Sequence, residues 1–255
     1  MARRVSKRKR PEREDYMLKE ALKIEEGVFD IRTMMALKKF FTKGIIGKLD
    51  FLIGNGKESS VYLADSGENI KKEFVAVKIF KIETSSFQKR SDYMIGDPRF
   101  KWIKGGLYDI INEWCKKEYS NLKIAEKANV YAPKPYMFNK NVLAMEFIEN
   151  NGSIAPLLKK TKLDNPEKAL RTILSDIGKL YANGLVHADI SEYNILIGNK
   201  EKPYIIDFGQ AVLVSHPKAD AFLDRDVTNI LRYFREKYAI SLEEERELTF
   251  IRNGK

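Results

Sequence analysis

The sequence has few residues that could cross-link it or bind zinc, and it has no long apolar run. Cys115 is its single cysteine and it has two histidines, which excludes an internal disulfide framework and the common cysteine-rich zinc sites. No apolar stretch approaches the roughly 20 residues that a membrane-spanning helix needs. The basic residues near the amino terminus are not followed by an apolar segment, so no secretory signal is expected. These absences predict a cytoplasmic protein.

The composition predicts a globular protein whose positive charge is unevenly distributed. The chain has 255 residues, 44% hydrophobic and 32% charged, which suits one domain or one two-lobed unit. Residues 1–13 carry seven basic residues and one acid, and so contribute +6 to a net charge of +10. The basic residues of this tail are Arg3, Arg4, Lys7, Arg8, Lys9, Arg10 and Arg13. Such an arm suits a polyanion such as RNA, and equally well a solvated tail that keeps the protein soluble.

The amino-terminal half predicts helices followed by strands. Residues 14–26 have the pattern of a charged helix, and a second helix is expected after Gly27. The mostly apolar face of that second helix consists of Ile31, Met34, Met35, Leu37, Lys38 and Phe41. The expected strands are Asp50–Ile53, Val61–Ala64 and Phe74–Phe80. Residues 81–106 are polar and contain glycine and proline breakers, which predicts a long loop of the functional or mobile kind.

The carboxyl-terminal half predicts mainly helices. A helix from about Asp109 to Lys127 has an apolar face that includes one acid, Glu118, and a second amphipathic helix is expected at residues 166–183. The expected strands are Val142–Phe147, Asn194–Ile197 and Tyr204–Asp207. The polar link at residues 149–152 separates the strands from most of the helices, which indicates two lobes joined by a hinge.

The first motif that carries chemistry is a glycine-containing turn. Residues 54–61, GNGKESSV, match the kinase pattern G-x-G-x-x-G-x-V except that Ser59 replaces the third glycine. Glycines let backbone amides approach phosphate oxygens, and the hydroxyl of Ser59 or Ser60 could add a donor. Alone this motif is weak evidence for a phosphate-binding turn, because two glycines in a hairpin turn are common for steric reasons.

The second motif places a lysine at the end of a strand. Residues 75–78, VAVK, resemble the kinase V-A-I-K strand, where the lysine reaches the α- and β-phosphates of ATP. Glu118 lies on the apolar face of its helix, where a carboxylate is costly unless a cation meets it. Lys78 is therefore its expected partner.

The third and fourth motifs would supply the catalytic and metal-binding groups. Residues 187–194, HADISEYN, correspond to the catalytic loop H-R-D-L-x-x-x-N, with alanine in place of arginine. Asp189 would orient or deprotonate the attacking hydroxyl or water, Asn194 would hold a metal ion, and His187 would brace the loop. Residues 205–209, IIDFG, form an apolar strand that ends in D-F-G, so Asp207 would bridge Mg²⁺ to the phosphates. All four motifs stand in kinase order, which predicts an ATP-dependent phosphotransferase.

Three segments resemble the RIO family of atypical protein kinases. They are GKESSVY (56–62), HADISEYNIL (187–196) and IIDFGQAV (205–212), including Ser191 where ordinary Ser/Thr kinases carry lysine and Gln210 after D-F-G. Residues 81–122 and the stretch from Ser215 to Asp226 resemble the type-one branch. The resemblance implies an α+β, two-lobed protein-kinase-like fold. Its β-rich N-lobe is small, and its shortened, mostly helical C-lobe lacks the activation segment and peptide platform.

The resemblance also implies a site and a role. Adenine would be held by the hinge backbone at Glu146 and Ile148, with Met145 at the back of the pocket. The cofactors would be ATP and Mg²⁺, with Mn²⁺ as an alternative. The catalytic residues would be Asp189, Lys78 and Asp207, and the metal ligands Asn194 and Asp207. The nucleotide would contact Gly54, Gly56, Lys57, Ser59, Ser60, Val61, Lys78, Glu118, Met145, Glu146 and Ile148. Family members bind ATP, autophosphorylate and act in maturation of the small ribosomal subunit, which implies a pre-ribosomal particle or its RNA as partner.

These expectations divide the chain into four parts. They are a basic tail (1–13), amino-terminal helices (14–47), an N-lobe (48–148) with a mobile loop at 81–106, and a C-lobe (149–255). Two other functions stay open at this point. A small-molecule kinase of the aminoglycoside or choline type shares the Asp–Asn–Asp arrangement, although this C-lobe is short and not acidic. A non-catalytic RNA-binding assembly factor would use ATP only as a structural ligand, although it would not need all of Lys78, Asp189, Asn194 and Asp207.

Overall fold

The computed structural model describes residues 29–82, 91–100 and 105–254. The predicted basic tail and the helix at 14–26 therefore lie outside the described residues. The helices are α1 (Ile31–Thr42), α2 (Ser91–Met94), α3 (Leu107–Lys127), α4 (Pro166–Ala182), α5 (Ala219–Tyr238) and α6 (Glu244–Asn253). Within the described ranges, no helix is long and apolar enough to cross a bilayer.

The amino-terminal part is built on an antiparallel five-stranded sheet. Its strands are β1 (Ile46–Asn55), β2 (Ser59–Ser66), β3 (Phe74–Phe80), β4 (Pro135–Asn139) and β5 (Val142–Glu146), in the order β1-β2-β3-β5-β4. The central strand β3 was predicted with these same limits. Its register sets Lys78 between Val61 of β2 and Leu143 of β5, which places the lysine in the middle of the sheet.

The carboxyl-terminal part is mostly helical, with short strand pairs between its helices. These strands are β6 (Glu149–Asn150), β7 (Ser153–Ile154), β8 (Leu185–Val186), β9 (Ile195–Ile197), β10 (Pro203–Ile205) and β11 (Val212–Leu213). The polar link predicted at 149–152 is the β6–β7 hairpin, and its turn residues Asn151 and Gly152 both have positive φ, as an Asn-Gly hairpin turn requires. The pair β9–β10 connects the third and fourth motifs, since β9 follows the third motif and β10 leads into the fourth.

Helix α1 packs on the sheet by a face that differs from the predicted one. The prediction counted Ile31 and Met35 as apolar contacts, but they are 75% and 69% exposed. The residues of α1 that are buried are Thr33, Ala36, Leu37 and Phe40. Thr33 can face inward because its hydroxyl donates to Asp30 and accepts from Asn141, so a polar side chain occupies a core position that a count of apolar residues misses.

The region predicted as one long loop, 81–106, is more ordered than expected in its described part. It contains α2 and a 3₁₀ turn at Pro98–Phe100. Tyr93, Met94 and Phe100 are partly buried against the main core. These three side chains anchor the described part of the segment to the core, which its polar residues and its glycine and proline breakers do not indicate.

Candidate nucleotide and metal site

A cleft of about 520 Å³ lies between the sheet and the helical part, within the range of about 300–1,000 Å³ typical of ligand pockets. Most predicted site residues line it: Gly54, Gly56, Ser59, Val61, Lys78, Glu118, Met145, Glu146, Ile148, Asn194 and Asp207. Lys57 and Ser60, which belong to the glycine-containing turn, are not among its lining residues, and Asp189 borders it through Asn194. All four sequence motifs therefore contribute residues to the lining of one cavity.

The cleft also has apolar walls that motif reading did not assign. Ile53 and Ala76 line it on the sheet side, and Leu196 and Ile206 on the helical side. Ala76 was within reach of the sequence, because alternation along β3 sets it on the same face as Lys78. Apolar walls with polar groups gathered at one end suit a flat aromatic base joined to a charged group.

Lys78 joins the two sides of the cleft. Its Nζ atom lies 2.7 and 2.8 Å from the two carboxylate oxygens of Glu118 and 2.9 Å from Oδ1 of Asp207. Lys78 and Glu118 are buried, whereas the Asp207 side chain is 49% exposed. Burial by itself would lower the pKa of Lys78, but the carboxylates of Asp207 and Glu118 outweigh it and raise that pKa. Lys78 is therefore a cation held between two carboxylates, and its bond to Glu118 is the pairing that the placement of Glu118 on an apolar face predicts.

Asn194 and Asp189 of the third motif contact each other directly. The Nδ2 atom of Asn194 donates to Oδ2 and to the backbone carbonyl of Asp189, both at 2.8 Å. Because this nitrogen faces Asp189, the amide oxygen is the atom of Asn194 that can serve as a metal ligand. The carboxylate and the amide thus hold each other's orientation at the edge of the cleft.

Asp226 of α5 supports this loop and was missed by the sequence reasoning. It is 1% exposed, and its carboxylate accepts from the backbone amides of Ala188 and Ile190 at 2.7 and 2.8 Å. The clamp spans Asp189 and holds Ala188 at a φ of 66°, a conformation that is costly for alanine. The signal was available, since Asp226 stands among apolar positions of its helix just as Glu118 does.

His187 braces the same loop from the other side. Its buried ring is in hydrogen-bond contact with Ile206 O through Nε2 at 3.1 Å, and it meets the Phe208 ring edge to face at 4.7 Å between centroids. Because a carbonyl only accepts, Nε2 carries the proton. The pKa of His187 is lowered to about 4, because the effect of burial is larger than the opposing effects of the Asp207 charge and the Ile206 hydrogen bond. A neutral, buried imidazole fits the predicted bracing role.

The glycine-containing turn is closed by a lysine that the sequence reasoning did not include. The Nζ atom of Lys81 donates to Oδ1 of Asn55 at 2.8 Å and to Gly56 O at 2.7 Å. The turn is also closed by the Gly56 amide, which donates to Ser59 O at 2.9 Å. Lys81 directly follows β3, so the strand that carries Lys78 also tethers the turn above the cleft.

The donor set of the cleft suits Mg²⁺ held jointly with phosphates. Among the described residues, no group of three or more His, Cys, Asp or Glu side chains could hold a metal ion. Mg²⁺ in nucleotide sites takes one or two carboxylates from the protein and completes its shell with phosphate oxygens and water. Asp207, with Asn194 beside the same cleft, provides such a partial set.

A second depression, of about 970 Å³, lies between α4 and α6, together with the segment that leads into α6. Its lining includes Arg171, Ser241 and Phe250 but no residue of the four motifs. Although it is larger, the motifs and the buried charges favour the interlobe cleft as the functional site.

Comparison with known proteins gives a consistent result. Residues 60–247 match the model of the RIO domain family. The chain is 36% identical over 240 residues to the RIO-type serine/threonine-protein kinase Rio1 of Haloferax volcanii, covering 92% of this chain and 81% of the relative. It is 39% identical over 219 residues to Rio1 of Methanocaldococcus jannaschii (86% and 73%), and 41% identical over 192 residues to Rio1 of Thermoplasma acidophilum (75% and 98%).

Solved structures show the same fold. The Rio2 kinase of Chaetomium thermophilum superposes with a TM-score of 0.68, covering 89% of this chain and 72% of that chain at 21% identity. Its complex with ADP, Mg²⁺ and phosphoaspartate gives a TM-score of 0.67, with 86% and 66% covered. The fold is thus the expected two-lobed, protein-kinase-like one, and no activation segment or peptide platform intervenes in the described run from Gln210 to α5. The chain belongs to the RIO family of atypical protein kinases, in its type-one branch.

Proposed function

We propose that this chain transfers the γ-phosphoryl group of Mg-ATP, as an atypical serine/threonine kinase and as an ATPase, in the maturation of the small ribosomal subunit. The observation that carries the catalytic part is the position of Lys78, bonded to Glu118 on one side and Asp207 on the other. A mobile cation at the surface would not be held this way. A buried lysine fixed between a helix and a D-F-G aspartate is what phosphate positioning requires.

The walls of the cleft would bind the nucleotide in parts. Adenine would lie between Ala76 and Leu196, with its edge toward the backbone of Glu146 and Ile148 and with Met145 behind it. The Glu146 amide donates to Lys134 O at 2.8 Å, so the contribution of Glu146 to adenine would be its carbonyl. The triphosphate would then run beneath the glycine-containing turn toward Lys78.

Asn194 and Asp207 would hold the metal ion, for which we propose Mg²⁺ with Mn²⁺ as an alternative. When bound, that ion would neutralise phosphate charge and align the reacting phosphoryl group. Asp189 would orient the attacking hydroxyl or water and accept its proton, while Asn194 and the Asp226 clamp keep its carboxylate in place. Lys78 would then contact phosphate oxygens as well as Glu118.

The short connection after Gly209 supports hydrolysis as a principal activity. From Gln210 to Lys218 the chain forms only the small strand β11 before α5 begins, which leaves no surface for docking a peptide along an activation segment. Hydrolysis could then switch the protein between a particle-bound and a released state, since a nucleotide shifts such an equilibrium by its differential affinity for the two states.

Autophosphorylation would occur in the 81–106 region. Thr84, Ser85 and Ser86 lie outside the described residues, and Ser91 opens α2. A hydroxyl tethered between the Lys78 strand and the Glu118 helix has a high effective concentration near the cleft. Mass spectrometry after incubation with Mg-ATP should find phosphate in this region, and phosphate confined to other segments would contradict the assignment.

Two aspartate variants test the site. Mg-ATP should raise the melting temperature of the parent, because a ligand that binds only the folded state stabilises it. Asp207→Ala should lose the Mg²⁺-dependent part of that rise, whereas Asp189→Ala should keep it and lose turnover. Hydrolysis by Asp189→Ala at the parental rate would overturn the role of Asp189.

The ribosomal part is tested separately. Asp189→Ala should bind nucleotide but not complete the cycle, so it should accumulate on small-subunit precursor particles in sedimentation profiles. Equal particle occupancy of parent and variant would remove the proposed switch but leave the catalytic assignment intact.

A further inference from the structure

Three polar side chains of α3 are buried where this helix meets the Asp207 turn, here residues 207–211. Lys117 and Glu118 are each 1% exposed, and Asn121 is fully buried. Polar groups in such surroundings are costly unless each one is bonded. Glu118 bonds Lys78, as described above, whereas Lys117 and Asn121 bond the backbone of the turn itself.

Asn121 and Lys117 together hold three carbonyls of the Asp207 turn. The Nδ2 atom of Asn121 donates to Phe208 O at 2.9 Å and to Ala211 O at 3.1 Å. The Nζ atom of Lys117 donates to Gly209 O at 2.9 Å. Buried backbone carbonyls need a partner, and here side-chain donors provide it. These donors therefore fix the peptide planes that directly follow Asp207.

Asp207 has a backbone conformation that needs such support. Its φ is 64°, a conformation that a non-glycine residue keeps only where its surroundings impose it. The turn is also pressed against α3, since a Cβ atom on Gly209 would lie 2.8 Å from Nε1 of Trp114. The direction of the Asp207 carboxylate thus depends on contacts made by α3.

Arg99, from the 94–100 segment, fixes the orientation of the Asn121 amide. Its Nη1 atom donates to Oδ1 of Asn121 at 2.7 Å. Arginine only donates and carbonyls only accept, so the amide has a single orientation that satisfies both sides. The Nε and Nη2 atoms of Arg99 donate to the buried Asp97 carboxylate at 2.6–3.1 Å. Burial alone would raise the pKa of Asp97, but bonds from Arg99 hold it below its usual value.

We propose that Asn121 and Lys117 are positioning residues for the metal-binding carboxylate of Asp207, and that the Asp97–Arg99 pair locks the Asn121 amide. The segment 94–100 is then coupled to the site through Arg99, Asn121 and the carbonyls of the turn. This inference rests on the proposed role of Asp207 as a metal ligand. It predicts that changes in α3 or in Arg99 alter Mg²⁺ dependence while leaving the adenine end of the cleft intact.

The test measures ADP affinity by calorimetry with and without Mg²⁺, and the ratio of the two Kd values is the Mg²⁺ gain. Lys117→Met removes the donor to Gly209 and Asn121→Asp removes the donors to Phe208 and Ala211. Lys116→Met is the matched control, because Lys116 is adjacent but faces solvent. Both positioning variants should reduce the gain by about tenfold, the lower end of the loss expected when a partner of a metal ligand is removed. The metal-free Kd should not change.

Two further measurements test the role of Arg99 and the rigidity of the Asp207 turn. Arg99→Lys keeps the charge but cannot span both Asp97 and Asn121, so it should reduce the gain in a fold that is fully retained. Hydrogen exchange of amides 207–213 in the ligand-free protein should be faster in Asn121→Asp than in Lys116→Met. A parental gain in all three variants, with the gain lost in Asp207→Asn, would overturn this inference alone. A parental gain in Asp207→Asn would overturn the metal assignment and this inference together.

Discussion

The Asp226 carboxylate accepts a hydrogen bond of 2.7 Å from the backbone amide of Ala188, 38 residues earlier in the chain. A second bond, from Ile190, makes the contact a clamp across Asp189. Asp226→Ala would leave two buried amides without an acceptor, and each such loss costs about 1–3 kcal/mol. We expect the free energy of unfolding to fall by about 2–6 kcal/mol, measured by urea denaturation at pH 7.

The control for this variant is Asp224→Ala. Asp224 lies two residues earlier in α5, where its exposed side chain pairs with Arg252. Exposed pairs contribute about 0–1 kcal/mol, so this change should have little effect. Equal losses in the two variants would show that the clamp contributes nothing beyond an ordinary surface pair.

A second prediction concerns the buried pair in the cleft. Lys78→Met removes the cation that the buried Glu118 carboxylate bonds, and breaking a buried pair on one side costs about 3–5 kcal/mol. Adding Glu118→Leu removes the remaining charge, so the double variant should regain most of the stability while hydrolysing no ATP. The check is urea denaturation together with ATP turnover. If the double variant is less stable than Lys78→Met, the stability lost in Lys78→Met does not come from the buried charge of Glu118.

A third prediction concerns pH. The pKa of His187 is about 4 in the folded protein, chiefly because of burial, and about 6.5 in an unfolded chain. Between these pH values the His187 side chain binds a proton in the unfolded chain but not in the folded one. The stability that the neutral His187 contributes is therefore lost as the pH falls from 6.5 to 4. A shift of this size corresponds to roughly 3 kcal/mol.

The His187→Gln variant isolates this contribution. It keeps an amide donor for Ile206 O but does not titrate, and all other groups are common to both proteins. The difference in unfolding free energy between parent and variant should therefore shrink by roughly 3 kcal/mol from pH 7 to pH 4. Denaturant titrations at several pH values measure it. A difference that stays constant with pH would exclude His187 as the titrating group.

The sequence predicted the charged centre of the site well because each group there has a recognisable reason to be present. Glu118 lies on an apolar helix face and Lys78 near a strand end, so their pairing can be inferred from the sequence alone. Asp226 stood on an apolar face too, but its partners are backbone amides, which no residue type reveals. The role of Arg99 was hidden for another reason, since it lies among glycine and proline breakers that indicate a loop.

A last prediction concerns the basic tail, which lies outside the described residues and carries +6 within positions 1–13. If this arm binds ribosomal RNA, deleting residues 2–13 should weaken RNA binding and flatten its salt dependence without changing ATP affinity. Each phosphate contact contributes about 0.7–0.9 to the slope of log K against log salt. Filter binding across a range of salt concentrations measures that slope.

Two triple variants distinguish the effect of the tail on RNA binding from the effect of the protein's net charge. One variant replaces Lys7, Lys9 and Arg10 with glutamine, and the other replaces Lys116, Lys123 and Lys127, which are exposed on α3. Both variants lose three positive charges, so a general effect of net charge would change the salt slope equally in the two. If all three tail residues contact phosphates, the first variant should lower the slope by about 2–3, whereas the second should keep the parental slope. Equal slopes in the two variants would remove the tail from the RNA contact.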